Sequence, residues 1–207
     1  MGTFSIFLSL LAFAILGALI AKQVLQCGDR GSIVHYPAFA SNFVEPRPIE
    51  VWLPEGYNPS STERYPVIYM HDGQFLFTKS KSWFVWTPWL WKVDVAISDL
   101  IRAKKIRPAI VVAPWNLPGA KRSNEYMPQK PVIEKHDSML IAEGSDIRRE
   151  NINSDNYLRF LVEELKPFID ANYRTLPERA STFTMGSSMG GMVSAYAISE
   201  YPDIFGA

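Results

Sequence analysis

Ser181 to Ile198 reads STFTMGSSMGGMVSAYAI, a short run of β-formers that meets glycines and a serine pair and then becomes helix-like. Thr182, Phe183 and Thr184 favour a strand. The small residues Gly190, Gly191, Ser194, Ala195 and Ala197 permit close packing of a helix, which Tyr201-Pro202 would stop. Of the two serines, only Ser188 has glycine at both −2 and +2, Gly186 and Gly190, the G-x-S-x-G spacing of a nucleophile elbow. The requirement for glycine is steric, because on a sharp strand-to-helix turn side chains two residues either side would collide with the neighbouring strand and helix. Such a turn lifts Ser188 Oγ clear of a sheet and aims the first N–H groups of the helix at the same point. Met189 N–H is then the natural first donor to a developing oxyanion. A flexible glycine-serine turn has the same letters; the strand before and the helix after argue for the elbow.

Working outward, two apolar runs read as buried central strands, Tyr65 to Met70 (YPVIYM) and Arg107 to Ala113 (RPAIVVA). The first leads straight into His71-Asp72-Gly73-Gln74, and catalytic groups tend to sit where such strands end. Ile49 to Leu53 alternates and ends at Pro54, and Ile33 to Val44 supplies an earlier strand broken at Pro37. Val93, Ile97, Leu100 and Ile101 share a helical face over 93 to 104. Tyr157, Leu158, Leu161, Leu165, Phe168 and Ile169 share another, begun at Asn153 or Ser154 and kinked or restarted at Pro167. Between Pro114 and Asn153 the chain is polar and irregular, long for a compact domain unless it lines a site. Residues 83 to 91, WFVWTPWLW, form either an apolar plug or a substrate-facing aromatic wall. Alternating β and α units predict one α/β unit over 28–207, with a parallel sheet covered on both faces.

Composition narrows the function classes. Lysine plus arginine equals aspartate plus glutamate, so there is no electrostatic case for nucleic acid. A single cysteine, Cys27, rules out an intrachain disulfide, and His35, His71 and His136 lack metal-ligand spacing, so no metal site is expected. Residues 1–27 read apart from the fold. Met1 to Ala21 carries no charged side chain, and Phe4 to Ala21 is long enough for a bilayer span of about 20 residues. A retained membrane anchor and a cleaved signal both remain open, the basic n-region and A-x-A cleavage site of a signal being absent. Lipidation at Cys27 is disfavoured by Gln26. Either way the remainder is expected to be exported.

The segments YMHDGQFLF, RSNEY at Arg122 to Tyr126, YLRFLVEELKPFIDANYRT, GSSMGG and the YPDIFG end together resemble the esterase family of α/β hydrolases. That family includes enterochelin-type, feruloyl and acetyl-xylan esterases, S-formylglutathione hydrolase and the mycolyltransferases. The resemblance covers about Ile49 to Ala207. It implies an α/β-hydrolase fold with a mostly parallel central sheet, no cofactor, and a small-molecule or carbohydrate-linked ester as substrate. It also implies a second oxyanion donor at the backbone of Gln74 or Gly73, a loop shaped by Asp72, and a pocket near Arg122, Glu125 and Tyr126. An internal Arg122–Glu125 ion pair that orders the loop is the alternative to substrate contact. His71 is expected to pack the loop and not to act as a base.

A serine hydroxyl needs a histidine to take its proton and a carboxylate to orient that histidine. In this fold both follow the serine in the chain, yet no histidine follows Ser188, and Glu200 and Asp203 fall at the far end of the elbow helix. The sequence therefore reads as the N-terminal portion of a serine esterase that lacks its later strands, inactive by itself, with an exposed sheet edge. Acyl transfer by the same nucleophile and a membrane-tethered binding module without catalysis are the rival expectations.

Overall fold

The computed structural model describes residues 23–26, 30–79, 89–134 and 147–207. Six strands form one sheet: β1 Gln23–Gln26, β2 Ser32–Phe39, β3 Arg47–Leu53, β4 Val67–Met70, β5 Ile110–Pro114 and β6 Thr182–Met185, in the order β1-β2-β3-β5-β4-β6. The parallel arrangement expected from the sequence holds for β5, β4 and β6. The first strands instead run antiparallel, β1 to β2, β2 to β3 and β3 to β5, so the sheet is mixed. The short link between β2 and β3 explains part of this, since a parallel neighbour would need a crossover of a dozen residues or more. β1 lies within the stretch 1–27 that was set apart from the fold, so the sheet begins before that boundary. Nor does Pro37 end β2, because a register shift between Tyr36 and Phe39 absorbs it.

Side-chain alternation divides the core in two. Val34, Tyr36, Ile49, Val51, Leu53, Val67, Tyr69, Ile110 and Val112 face the larger cluster. Ile33, Trp52, Val111 and Ala113 face the other side, packed with Leu76 and Phe77. Helix α1, Val93–Arg102, covers this smaller side with Val93, Ile97 and Ile101, while Leu100 is exposed. Its Asp94 carboxylate accepts from the N–H and the hydroxyl of Thr78, fixing the chain that leaves β4.

The larger side is covered by a continuous helical rod: α4 Ser154–Arg159, a π-helical segment Phe160–Leu165, and α5 Lys166–Asn172. Pro167 lies in the first turn of α5, directly after the wider π turns. Helix α6, Met189–Glu200, follows β6 and buries Gly190, Val193, Ser194, Tyr196 and Ala197. Between Pro114 and Asn153, read as irregular from its polarity, the described residues include two short α-helices, α2 Ala120–Tyr126 and α3 Gln129–Glu134, and a 3₁₀ turn at Arg149–Asn151. The two helices hold because Tyr126, Met127 and Val132 are buried. The outer edge of β6 takes two backbone hydrogen bonds from the last residues, Gly206 N–H to Thr182 O and Thr184 N–H to Ala207 O. That edge, expected to be bare, is partly covered.

Among the described residues no helix is long and apolar enough to cross a membrane. Phe4 to Ala21, Cys27, His136 and most of the tryptophan-rich segment 83 to 91 lie outside the described residues.

Candidate active site

Adjacent parallel strands β4 and β6 end level with each other, Met70 opposite Met185, and His71 N–H donates to Met185 O at 2.9 Å. Beyond that line each strand turns sharply, so the two turns lie side by side at the carboxyl end of the sheet.

After β6 the chain passes through Gly186 and Ser187 to Ser188, whose backbone is at φ 54°, ψ −123°, immediately before the first residue of α6. Only four non-glycine described residues have positive φ, and Ser188 is one. Ser188 is exposed, and its carbonyl accepts the N–H groups of Gly191 and Met192, which starts the helix. The flanking glycines explain the bend. A Cβ on Gly186 would lie 2.5 Å from the Gly190 carbonyl carbon, so the strand end and the helix start touch backbone to backbone. A Cβ on Gly190 would lie 3.3 Å from Asp72 Oδ2 and 3.5 Å from His71 Cβ, which brings the turn after β4 against the same helix end.

That second turn is a single 3₁₀ turn, Gly73–Phe75, preceded by Asp72 in the left-handed region at φ 62°, ψ 43°. Gly73 allows it to lie on β5, since a Cβ there would fall 2.4 Å from Ala113 O. Among the described residues, the N–H groups of Gln74 and Met189 donate to no other backbone group. Both belong to first turns, where N–H groups have no intrahelical partner. The Gln74 side chain faces away from this role and accepts from Asn116 N–H at 3.1 Å.

Asp72 is buried and fully engaged. Its carboxylate accepts from Arg122 Nε at 2.7 Å, Arg122 Nη2 at 2.8 Å and Asn116 Nδ2 at 2.5 Å. Arg122 lies over the Tyr126 ring at 5.1 Å, and the Tyr126 hydroxyl accepts Asp72 N–H. The Asp72 carboxylate holds the Arg122 guanidinium above its ordinary pKa.

The Arg122–Glu125 ion pair, weighed as the alternative to substrate contact, does not form. Glu125 lies on another face of α2 and makes a two-pronged pair with buried Arg47, at 2.7 and 2.6 Å. Arg47 lies in turn over the rings of Tyr157 and Phe160. Burial is the largest single influence on Arg47 and opposes its charge, yet its pKa is raised, because the Glu125 hydrogen bonds and the nearby Glu125, Tyr157 and Tyr126 together outweigh the desolvation. Glu125, Lys121 and Asn124 line a polar hollow of about 210 Å³ on that face. Glu125 thus braces the fold and does not join the cluster around Asp72.

His71 is completely buried below the two turns. Nδ1 is 2.8 Å from the Tyr157 hydroxyl and Nε2 is 3.2 Å from Thr184 Oγ1. Burial lowers its pKa from 6.5 to about 4, Asp72 opposing and Arg122 reinforcing the shift. A neutral ring donates at one nitrogen and accepts at the other, so this histidine packs the loop, as expected. His35 is bonded to Glu50 at 3.2 Å. Neither described histidine is bonded to Ser188. Among the described residues no group of histidine, cysteine and acidic side chains is arranged to hold a metal ion.

Two contributors were not singled out from the sequence, Asn116 and Arg47. Asn116 had a legible signal, since it stands two residues after the buried strand β5 at the same sheet end. Arg47 had none: its partner is 78 residues away.

Residues 41–207 match the family model described as "Putative esterase". The chain belongs to this esterase family. It is 26% identical over 181 residues to an endo-1,4-beta-xylanase/feruloyl esterase of Xylanibacter ruminicola, covering 86% of this chain and 21% of that protein. It is 25% identical over 176 residues to the uncharacterized protein YjcH of Bacillus subtilis, covering 85% and 59%. Among solved structures, the CE1 ferulic acid esterase of Anaeromyces mucronatus superimposes with a TM-score of 0.57 at 20% identity, covering 88% of this chain and 62% of that one. The enterobactin esterase of Shigella flexneri gives 0.52 at 18%, covering 90% and 35%. These likenesses establish the α/β-hydrolase fold. The chain spans between about a fifth and three fifths of the length of the curated relatives it matches.

Proposed function

We propose that this chain carries the nucleophile and the oxyanion-binding amides of a serine carboxylic-ester hydrolase. The observation that carries the reading is the backbone of Ser188, exposed at φ 54°, ψ −123° beside the turn after β4. Strain of this kind costs about 1–3 kcal/mol and persists where the surroundings over-determine it, which is common at active sites. Membership of the esterase family supports the same chemistry.

In this reading Ser188 Oγ attacks the acyl carbonyl carbon while a histidine takes its proton. The carbonyl oxygen becomes an oxyanion and accepts from Met189 N–H and from Gln74 N–H, with Gly73 N–H as the neighbouring donor; losing one such donor typically costs about 10²–10³ in rate. Collapse breaks the bond to the alcohol oxygen, which receives the histidine's proton, and leaves acyl-Ser188 for water to cleave. No cofactor enters. His35 and His71 are committed elsewhere, so the base is a histidine outside the described residues, and in this fold it and its carboxylate follow the serine. The reading therefore calls for more sequence after Ser188 than the 207 residues hold, and this chain alone would be inactive.

The substrate proposed is a small-molecule or carbohydrate-linked ester, since named relatives are feruloyl and enterobactin esterases. Export, with attachment or cleavage at residues 1–27, rests on the uncharged stretch Met1 to Ala21.

The deciding experiment treats the full-length gene product with a fluorophosphonate probe. Ser188 is expected to be labelled in the parent and in Ser187→Ala, and unlabelled in Ser188→Ala. Labelling that survives Ser188→Ala overturns the assignment, and a folded full-length protein that takes no label is a binding module. Partition of the acyl-enzyme between water and an added alcohol separates hydrolysis from acyl transfer.

A further inference from the structure

We propose that Arg122 is a positioning residue: through the Asp72 carboxylate it sets the distance between the turn bearing Gly73 and Gln74 and the start of α6. The geometry stands by itself, and its catalytic consequence rests on the esterase reading above.

Every polar atom of Asp72 is tied. Its side chain, 2% exposed, receives the two parallel N–H groups of Arg122 and the Asn116 amide. Its N–H donates to the Tyr126 hydroxyl at 3.2 Å and its carbonyl accepts Phe75 N–H at 3.0 Å. This net holds Asp72 at φ 62°, in the left-handed region that a residue with a Cβ seldom adopts. The residue that pays this strain is the one from which the 3₁₀ turn starts, so its orientation fixes where the Gly73 and Gln74 N–H groups point.

The same carboxylate is the wedge on the other side. With Oδ2 only 3.3 Å from where a Gly190 Cβ would stand, it fills the space between the turn and α6. Two amides that must converge on one oxygen are thus separated by a group that Arg122 pins from α2. Arg122 is itself oriented by the Tyr126 ring beneath it. The planar fork of guanidinium matches the two carboxylate oxygens, whereas an ammonium is a single point charge.

A misplacement of about 1 Å in such an arrangement costs about 10²-fold in rate. In the full-length protein, Arg122→Ala is expected to lower kcat about a hundredfold and Arg122→Lys about tenfold, with KM nearly unchanged. Millimolar guanidinium should restore much of the rate of Arg122→Ala, and sodium chloride of equal strength should not. Amide hydrogen exchange at Gly73 and Gln74 should quicken in both variants. A raised KM with kcat preserved would make Arg122 a substrate contact and overturn the proposal. So would lost stability with unchanged kcat, or exchange at the two amides that does not change. Should Arg122→Ala fail to fold, Arg122→Lys decides by the same readouts. Hydrolysis that persists in Ser188→Ala would sink the assignment of Ser188 as nucleophile instead, and the exchange measurement would still decide the geometry.

Discussion

The two turns of the candidate site are built by different means. The elbow after β6 is held by close contact of backbone with backbone, glycine against glycine, and no side-chain hydrogen bond caps α6 at Ser188. The turn after β4 is held by charge, a buried carboxylate with two N–H groups of one arginine and a third donor from Asn116. Contact geometry of the first kind fails abruptly when one methyl is added. A charged net fails gradually, one hydrogen bond at a time. The proposed nucleophile, Ser188, sits on the abrupt half, and one proposed oxyanion donor sits on the gradual half.

Breaking the steric half should give the largest effect. Gly186→Ala places a methyl 2.5–2.7 Å from three backbone atoms of Gly190, none of which can move without unwinding the start of α6. The expected cost is about 4 kcal/mol or more, read by urea or thermal unfolding. Gly191→Ala is the control: its new methyl meets only Gly186 O at 3.4 Å, and a helical glycine replaced by alanine should leave stability unchanged or slightly higher. Equal losses in the two variants would show that the tight contact is not what shapes the elbow.

His71 joins the halves, touching Asp72's turn above and reaching Thr184, whose hydroxyl donates to Ser194 in α6. Its folded pKa, about 4, lies below the unfolded 6.5, so the unfolded chain binds the extra proton first. Stability is therefore full above pH 6.5 and falls as pH drops from 6.5 toward 4. A shift of this size corresponds to a loss on the order of 3 kcal/mol. His71→Gln should flatten that part of the pH–stability curve. An unaltered curve in the variant would assign the acid loss to other groups.

The elbow could be read from sequence because its cause is local: Gly186 and Gly190 lie within one turn of Ser188. The buried strands β4 and β5 were legible for the same reason, as continuous apolar runs. What stayed hidden depends on partners far along the chain. Arg122 reaches back 50 residues to Asp72, and Glu125 reaches back 78 to Arg47, so spacing in the RSNEY segment left an Arg122–Glu125 pair and substrate contact equally open and pointed to neither true partner. α2 and α3 were hidden because they are short and polar, anchored by a few buried side chains. The antiparallel half of the sheet was hidden as well, because apolar alternation reports a strand and not its direction.

The smallest effect sharpens the comparison on the charged half. Asp72→Asn keeps the side chain's shape and the ease with which asparagine adopts the left-handed conformation, and it removes only the charge. One amide oxygen can still accept from Arg122, while the amide nitrogen would face the other arginine N–H or Asn116, donor against donor. Hydrogen bonds to charged groups are worth about 1.5–3 kcal/mol, and because the Arg122 side chain is 28% exposed a loss of about 1–2 kcal/mol is expected. That loss should persist in high salt, since the carboxylate itself is buried. If Asp72→Asn were neutral while Asp72→Ala was costly, the left-handed backbone and not the ion pair would hold the turn. The contrast between a steric half and a charged half would then reduce to two kinds of backbone constraint.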